Sequence, residues 1–300
     1  MVVVVEATLL GGGKRRVSEM VVVAIVTGER LRVKLAWCVS STPSSILLIP
    51  SIDPRYVLSD NFAPLDELPP PPCQVIEVSL PPALDGAYIR NGPNPQFLPR
   101  GPYHLFDGDG MLHAITISSG RATLCSRYVQ TYKYKIERQY GSPVLPNVFS
   151  GFNSLSATAA RRAVAAGRIL AGQYNPANGI GLANTSLALI SGRLYAMGES
   201  DLPYAVRVNP NDGEIHTIGR HDFSGKLAMS MTAHPKIDPV TKETFAFRYG
   251  PMPPFLTYFT IDPNGEKRPD VPIFSMTSPS FLHDLARRSD LHHEFGFWGD

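Results

Sequence analysis

Cysteine is scarce in this sequence: its 300 residues contain three, Cys38, Cys73 and Cys125. An odd number, widely spaced and with no C-x-x-C pair, argues for a reducing compartment and against a disulfide framework or a cysteine-bound zinc. An excess of either charge is lacking too. Lys+Arg 28 against Asp+Glu 26 leaves a net +2, and no basic stripe is interleaved with aromatic residues, so nucleic acid is not an expected partner. Long apolar runs are also missing. The stretch from Met20 to Val26 falls far short of the ~20 residues that a membrane-spanning helix needs.

What the chain does have is core material and turn formers. With 43% hydrophobic and 18% charged residues it can bury a core, and its 28 prolines and 25 glycines point to an all-β chain with many turns. Residues 1–50 stand apart as a divergent leader. Glu6 precedes, and Lys14, Arg15 and Arg16 follow, the first apolar run, which is not the order of a secretory signal. Serines at Ser40, Ser41, Ser44 and Ser45 suit a plastid transit segment, whereas Glu6, Glu19 and Glu29 do not. "GGGKRR" is not a phosphate loop, because Thr8 stands where the first glycine is needed and Arg15 where a magnesium-binding Ser or Thr belongs. It reads as a flexible basic segment, and "DELPPPPC" as a semi-rigid spacer before the folded part.

From about residue 85 the chain repeats one device, two short β-rich runs joined by a polar turn. "MLHAITISSGRATLCSRYV", "SLALISGRLYAMGES", "YAVRVNPNDGEIHTIG" and "FLTYFTIDPNGEKRPDVPIF" are examples, the last three turning at Ser191–Arg193, Asn209–Gly213 and Asp262–Gly265. Their spacing is that of propeller blades more than of a sandwich. One segment departs from this: "SATAARRAVAAGRILAG", residues 156–172, predicts a helix capped by Ser154 or Ser156, with Arg161, Arg162 and Arg168 on a basic side.

Chemistry falls to the eight histidines. His104 and His113 flank "FDGDGM", which opens like a calcium loop but lacks its later acidic positions, so Asp107–Gly110 reads as a tight turn. His216 lies in a hairpin strand and His221 precedes "DFSGK"; both read as surface or turn residues. His234 in "LAMSMTAHP" and His283 in "TSPSFLHD" border short apolar runs about one blade apart. Equivalent positions in successive blades face the axis, where imidazoles could meet at one ion. The residues alone leave both readings open, packed core histidines or metal ligands.

The segments "DNFAPLDELPPPPCQV", "LDGAYIRNGPNPQF", "YHLFDGDGMLHAI", "GIGLANTSLA", "LYAMGESDLPYAV", "MSMTAHPKIDP", "ETFAFRYG" and "VPIFSMTSPSFLHD" together resemble the plant carotenoid cleavage dioxygenases, and within them the type four plastid enzymes. The resemblance runs from about Pro54 to Asp284. It implies a seven-bladed β-propeller whose axial Fe(2+), held by four histidines, adds O2 across a double bond of a carotenoid or apocarotenoid, the 9,10 (9′,10′) bond in this subclass, giving aldehyde or ketone products. It further implies His234 and His283 as metal ligands, and Glu199 in "GES" as the carboxylate that orients a ligand imidazole. Glu199 could equally be an exposed turn carboxylate beside Asp201. The resemblance also places Val148, Phe149, Phe152 and Leu155, with the basic helix behind them, against a peripheral membrane or plastoglobule surface in the plastid. A core helix with incidental arginines is the other reading.

The boundaries that follow are a leader at 1–50, the N-terminal part of a carotenoid oxygenase propeller at 51–284 and a divergent polar tail at 285–300. About half the propeller is then expected to be present. His292 and His293 lie in the strand-poor tail without the family's flanking residues and are not read as ligands. Two functions are carried forward. One is the dioxygenase; the other is a noncatalytic truncated chain, inactive alone and at most binding lipid or an apolar ligand.

Overall fold

Turn chemistry sets the hairpins. Ser191 and Gly192 (φ 50° and 75°), like Ser119 and Gly120 (φ 51° and 72°), both adopt the left-handed conformation that a two-residue I′ turn requires. The first pair joins Ser186–Ile190 to Arg193–Met197 with Ile190 opposite Arg193, and the second joins Asp109–Ser118 to Arg121–Tyr128. The computed structural model describes residues 53–77, 79–99, 103–145, 163 and 166–286 with their side chains, and 2–9, 18–27, 30–36, 287 and 295–298 as backbone.

Among the described residues the chain is mostly β with few helices. Ser186–Ile190, Arg193–Met197, Tyr204–Val208 and Ile215–Arg220 form one four-stranded sheet, adjacent in chain order. Lys236–Ile237, Thr244–Tyr249, Leu256–Ile261 and Val271–Ile273 form a second, antiparallel throughout. Gly86–Asn94, Asp109–Ser118 and Arg121–Tyr128 form a three-stranded sheet.

The contacts divide into two units, Met1–Arg90 with Leu112–Tyr128 and Val208–His216, and Asn91–Met111 with Val129–Arg207 and Thr217–Asp300. In the first, Leu80, Ile115, Ala122 and Leu124 make a buried cluster with Leu65, Leu68, Cys73 and Val75 against it. In the second, Ile190, Tyr195 and Met197 of one four-stranded sheet share a core with Ala246, Phe259 and Ile261 of the other, and Met231 and Ala233 of the connecting segment are buried in the same cluster. Thr244 to Phe247 are buried at four successive positions, so this strand is covered on both faces.

Several expectations are corrected. The proline run is no spacer: Leu68 exchanges backbone hydrogen bonds with Ser126, and the Cys73 N–H donates to Ala122. Asp107–Gly110 is not one tight turn. Leu105–Asp107 is a single 3-10 turn and Asp109 already begins a strand, with both aspartates buried. The tail read as poor in strand pairs Asp284–Arg287 with Phe295–Trp298. Of the helix expected at 156–172, residue 163 and residues 166–170 are helical and the rest lie outside the described residues, with Leu170 88% exposed. Val148, Phe149, Phe152 and Leu155, like His292 and His293 and the "GGGKRR" segment, also lie outside them. No helix among the described residues is long and apolar enough to cross a membrane.

Candidate metal centre

Three segments of the second unit meet at one point. Glu199 follows the strand Arg193–Met197, past Gly198, where an added Cβ would come within 3.3 Å of the Ala183 nitrogen. His234 is held from below by its buried neighbours. The Met231 N–H donates to the Asp201 carbonyl at 3.1 Å, the Thr232 N–H to Phe247 at 2.8 Å, and the His234 N–H itself to Thr232 Oγ1 at 3.1 Å; the Ser186 hydroxyl donates to the Ala233 carbonyl. His283 sits between buried Leu282 and the strand Asp284–Arg287.

The result is a cluster in which one ligand atom each of Glu199, His234 and His283 lies within 4.8 Å of the others. Two rings face each other edge to face, the centroids of His234 and His283 being 4.5 Å apart at 69°. His283 Nδ1 stands 2.6 Å from Glu199 Oε1, so that oxygen already faces this ring. His234 Nε2, by contrast, is buried without a partner. A buried polar atom costs free energy unless something satisfies it, so this nitrogen asks for an external group.

Protonation does not supply one for His234. Burial first, then the neighbouring His283, holds its imidazole below the ordinary value, while Asp284 works the other way. It is therefore neutral at neutral pH, with a lone pair to donate. Burial raises the Glu199 carboxyl although His283 and a hydrogen bond from Tyr249 pull it down. Tyr249 is pushed up to about 12 by burial and by Glu199, so its hydroxyl stays protonated and donates. Two imidazoles backed by a carboxylate are a donor set that suits a divalent transition metal, iron(II) included.

The sequence-derived residues thus fall into two groups. Glu199, His234 and His283 come together, and Glu199 is a half-buried partner of His283 rather than an exposed turn carboxylate. The other described histidines go elsewhere. His104 caps the 3-10 turn by accepting the Phe106 N–H at 3.2 Å, His113 pairs with Ser126 Oγ at 2.8 Å, His216 is exposed on its strand, and His221 packs edge to face on Phe223 at 4.6 Å. Tyr249 was missed by the sequence reading; its only signal is its position at the end of "TFAFRY", where the strand's buried run opens toward Glu199. The resemblance implies four imidazoles, and among the described residues two converge.

The sequence model of the retinal pigment epithelial membrane protein family matches residues 62–287. The chain is 74% identical over 238 residues to a probable carotenoid cleavage dioxygenase 4, chloroplastic, of Arabidopsis thaliana, covering 79% of this chain and 40% of that protein. It is 65% identical over 245 residues to a 9-cis-epoxycarotenoid dioxygenase, chloroplastic, of Oryza sativa subsp. japonica, covering 80% and 38%. Among solved structures it resembles a Pseudomonas brassicacearum lignostilbene dioxygenase at 28% identity and a TM-score of 0.59, over 76% of this chain and 44% of that one. The chain spans about two fifths of the length of the curated relatives it matches.

Proposed function

Since the chain belongs to the retinal pigment epithelial membrane protein family, in which its relatives are carotenoid cleavage dioxygenases, we propose that it acts as a non-haem iron(II) dioxygenase on a carotenoid or apocarotenoid. The observation that carries this reading is the buried, partnerless Nε2 of His234 beside His283 and Glu199. His234 and His283 would hold the metal. When bound, iron(II) supplies a site at which O2 can be activated, the overall change being one C=C and one O2 converted to two carbonyls. The chain's own residues do the positioning. Glu199 at His283 Nδ1 fixes that ring and leaves Nε2 for the metal, and Tyr249 steadies Glu199 from the other side. The 2.6 Å contact favours this role for Glu199 over direct ligation.

The two four-stranded sheets, each in chain order, are taken as successive blades of a seven-bladed propeller. The preferred bond is the 9,10 (9′,10′) one, on the resemblance to the type four enzymes, and the place of action is the plastid, as in the chloroplastic relatives. Val148, Phe149, Phe152 and Leu155 are assigned to a peripheral membrane or plastoglobule surface, because a substrate insoluble in water must be drawn from lipid. Changing Phe149 and Phe152 to Ser should reduce flotation with lipid vesicles; unchanged flotation would return the segment to a core role.

A second reading rests on the two imidazoles converging where the resemblance implies four: the chain binds an apolar ligand without turning it over. One experiment separates the two. The iron-loaded protein is given β-carotene in micelles under ¹⁸O2. Label in both carbonyl products, lost in His234→Ala, supports the dioxygenase, and product masses name the bond. Carotenoid retained without products selects the second reading.

A further inference from the structure

The segments carrying the two histidines are tied together at a second point. Lys236, two residues after His234, opens the strand Lys236–Ile237, and Asp284, next after His283, opens Asp284–Arg287. Lys236 Nζ lies 2.6 Å from Asp284 Oδ1. The same oxygen accepts the Leu285 N–H at 2.7 Å, and the Leu285 side chain is buried in a cluster with Phe247, Leu256 and Leu282. On the other side, Lys236 is paired in register with Phe245 of the second sheet. The ion pair therefore has a core anchor at each end.

Resting on the metal-site reading above, we infer that the Lys236–Asp284 pair is a positioning clamp that holds His234 and His283 side by side before any metal arrives. The need for one is visible at His283. Its side chain is 65% exposed, so packing does not hold its segment in place although Glu199 orients the ring, whereas a site whose ligands are already ordered binds without a further ordering cost. The pair itself is 38% and 42% exposed. Such a pair adds little to global stability, so its effect falls on the local geometry of the two rings. Neither residue need touch the metal, and both are positioning residues.

The test uses the 300-residue chain with Lys236→Met, Asp284→Asn and the double variant; Asn keeps an acceptor for the Leu285 N–H, and Lys236→Arg keeps the charge. Two readouts are taken: ring-to-ring NOEs between His234 and His283 in metal-free, isotope-labelled protein, and cobalt(II) affinity. The clamp predicts weaker NOEs and about fivefold weaker cobalt(II) binding in each single variant, no further loss in the double variant, retention in Lys236→Arg, and convergence of the unmodified chain toward the variants at high salt. Unchanged NOEs in the single variants, or losses that add in the double variant, would overturn it. A chain that never binds cobalt(II) but whose NOEs follow this pattern keeps the clamp and sinks the metal reading.

Discussion

Two clusters of ionisable side chains in the same unit obey opposite rules. At Lys133, every oxygen is spoken for: Nζ donates to Asp109 Oδ1 at 3.1 Å and Glu137 Oε2 at 2.8 Å, Glu137 Oε1 accepts the Val144 and Leu145 N–H groups, and Asp109 Oδ2 accepts the Gln96 N–H. Burial disfavours the charge on Lys133, but Asp109 and then Glu137 outweigh it and raise its pKa. At His234, His283 and Glu199, Glu199 faces His283 Nδ1 at 2.6 Å while His234 Nε2 is buried with nothing to bond. The first cluster is committed to the fold. The second is left open, and that is what separates a site from a structural network when both are made of charged residues.

The contrast breaks most easily at Lys133. Lys133→Met would leave Asp109 and Glu137 buried and unpaired, and urea unfolding should show a loss of about 3–5 kcal/mol. A loss under about 1 kcal/mol would mean that the network is not committed as described.

One limb of the pH dependence of unfolding should come from another committed group. Burial, with Arg90 second, lowers the His113 imidazole from 6.5 to about 4. Its folded value lies below its unfolded one, so between these limits the unfolded chain binds a proton that the folded chain refuses. Stability contributed by neutral His113 is complete above 6.5 and is lost as the pH falls toward about 4, by up to about 3 kcal/mol. In His113→Asn that limb should flatten; an unchanged slope would assign it to other groups.

Smaller effects sharpen the other side of the comparison. Tyr249→Phe removes one hydrogen bond to Glu199 and should cost about 1 kcal/mol of stability while loosening Glu199 from His283. His234→Ala in the metal-free protein should cost less still, under about 1 kcal/mol, because it deletes a buried nitrogen that bonds nothing in the fold. A cost as large as that for Lys133→Met would make His234 a structural residue.

How far these regions were legible follows from the range of the interactions. The hairpins at Ser119-Gly120 and Ser191-Gly192 could be read because a turn's chemistry is contained in adjacent residues. The proline run was misread because its hydrogen bonds go to Ala122 and Ser126, far along the chain. Asp109 looked like a turn residue for the same reason, its partner being a lysine 24 positions away. His234, His283 and Glu199 were found through the resemblance carried by the short motifs "TAHP", "FLHD" and "GES" around them. Lys236 and Asp284 stood beside those histidines in "AHPK" and "LHD", but nothing local says that the two charges meet; that depends on the strands Lys236–Ile237 and Asp284–Arg287 lying together.

The central claim, that the open cluster is a metal centre, is tested most directly by titrating metal-free protein with cobalt(II) and following its visible ligand-field absorption. The account predicts one equivalent bound with imidazole ligation, and a fall in affinity of at least about a hundredfold in His234→Ala with the fold intact. Absence of binding in the unmodified chain, or stoichiometric binding that survives His234→Ala, would contradict it.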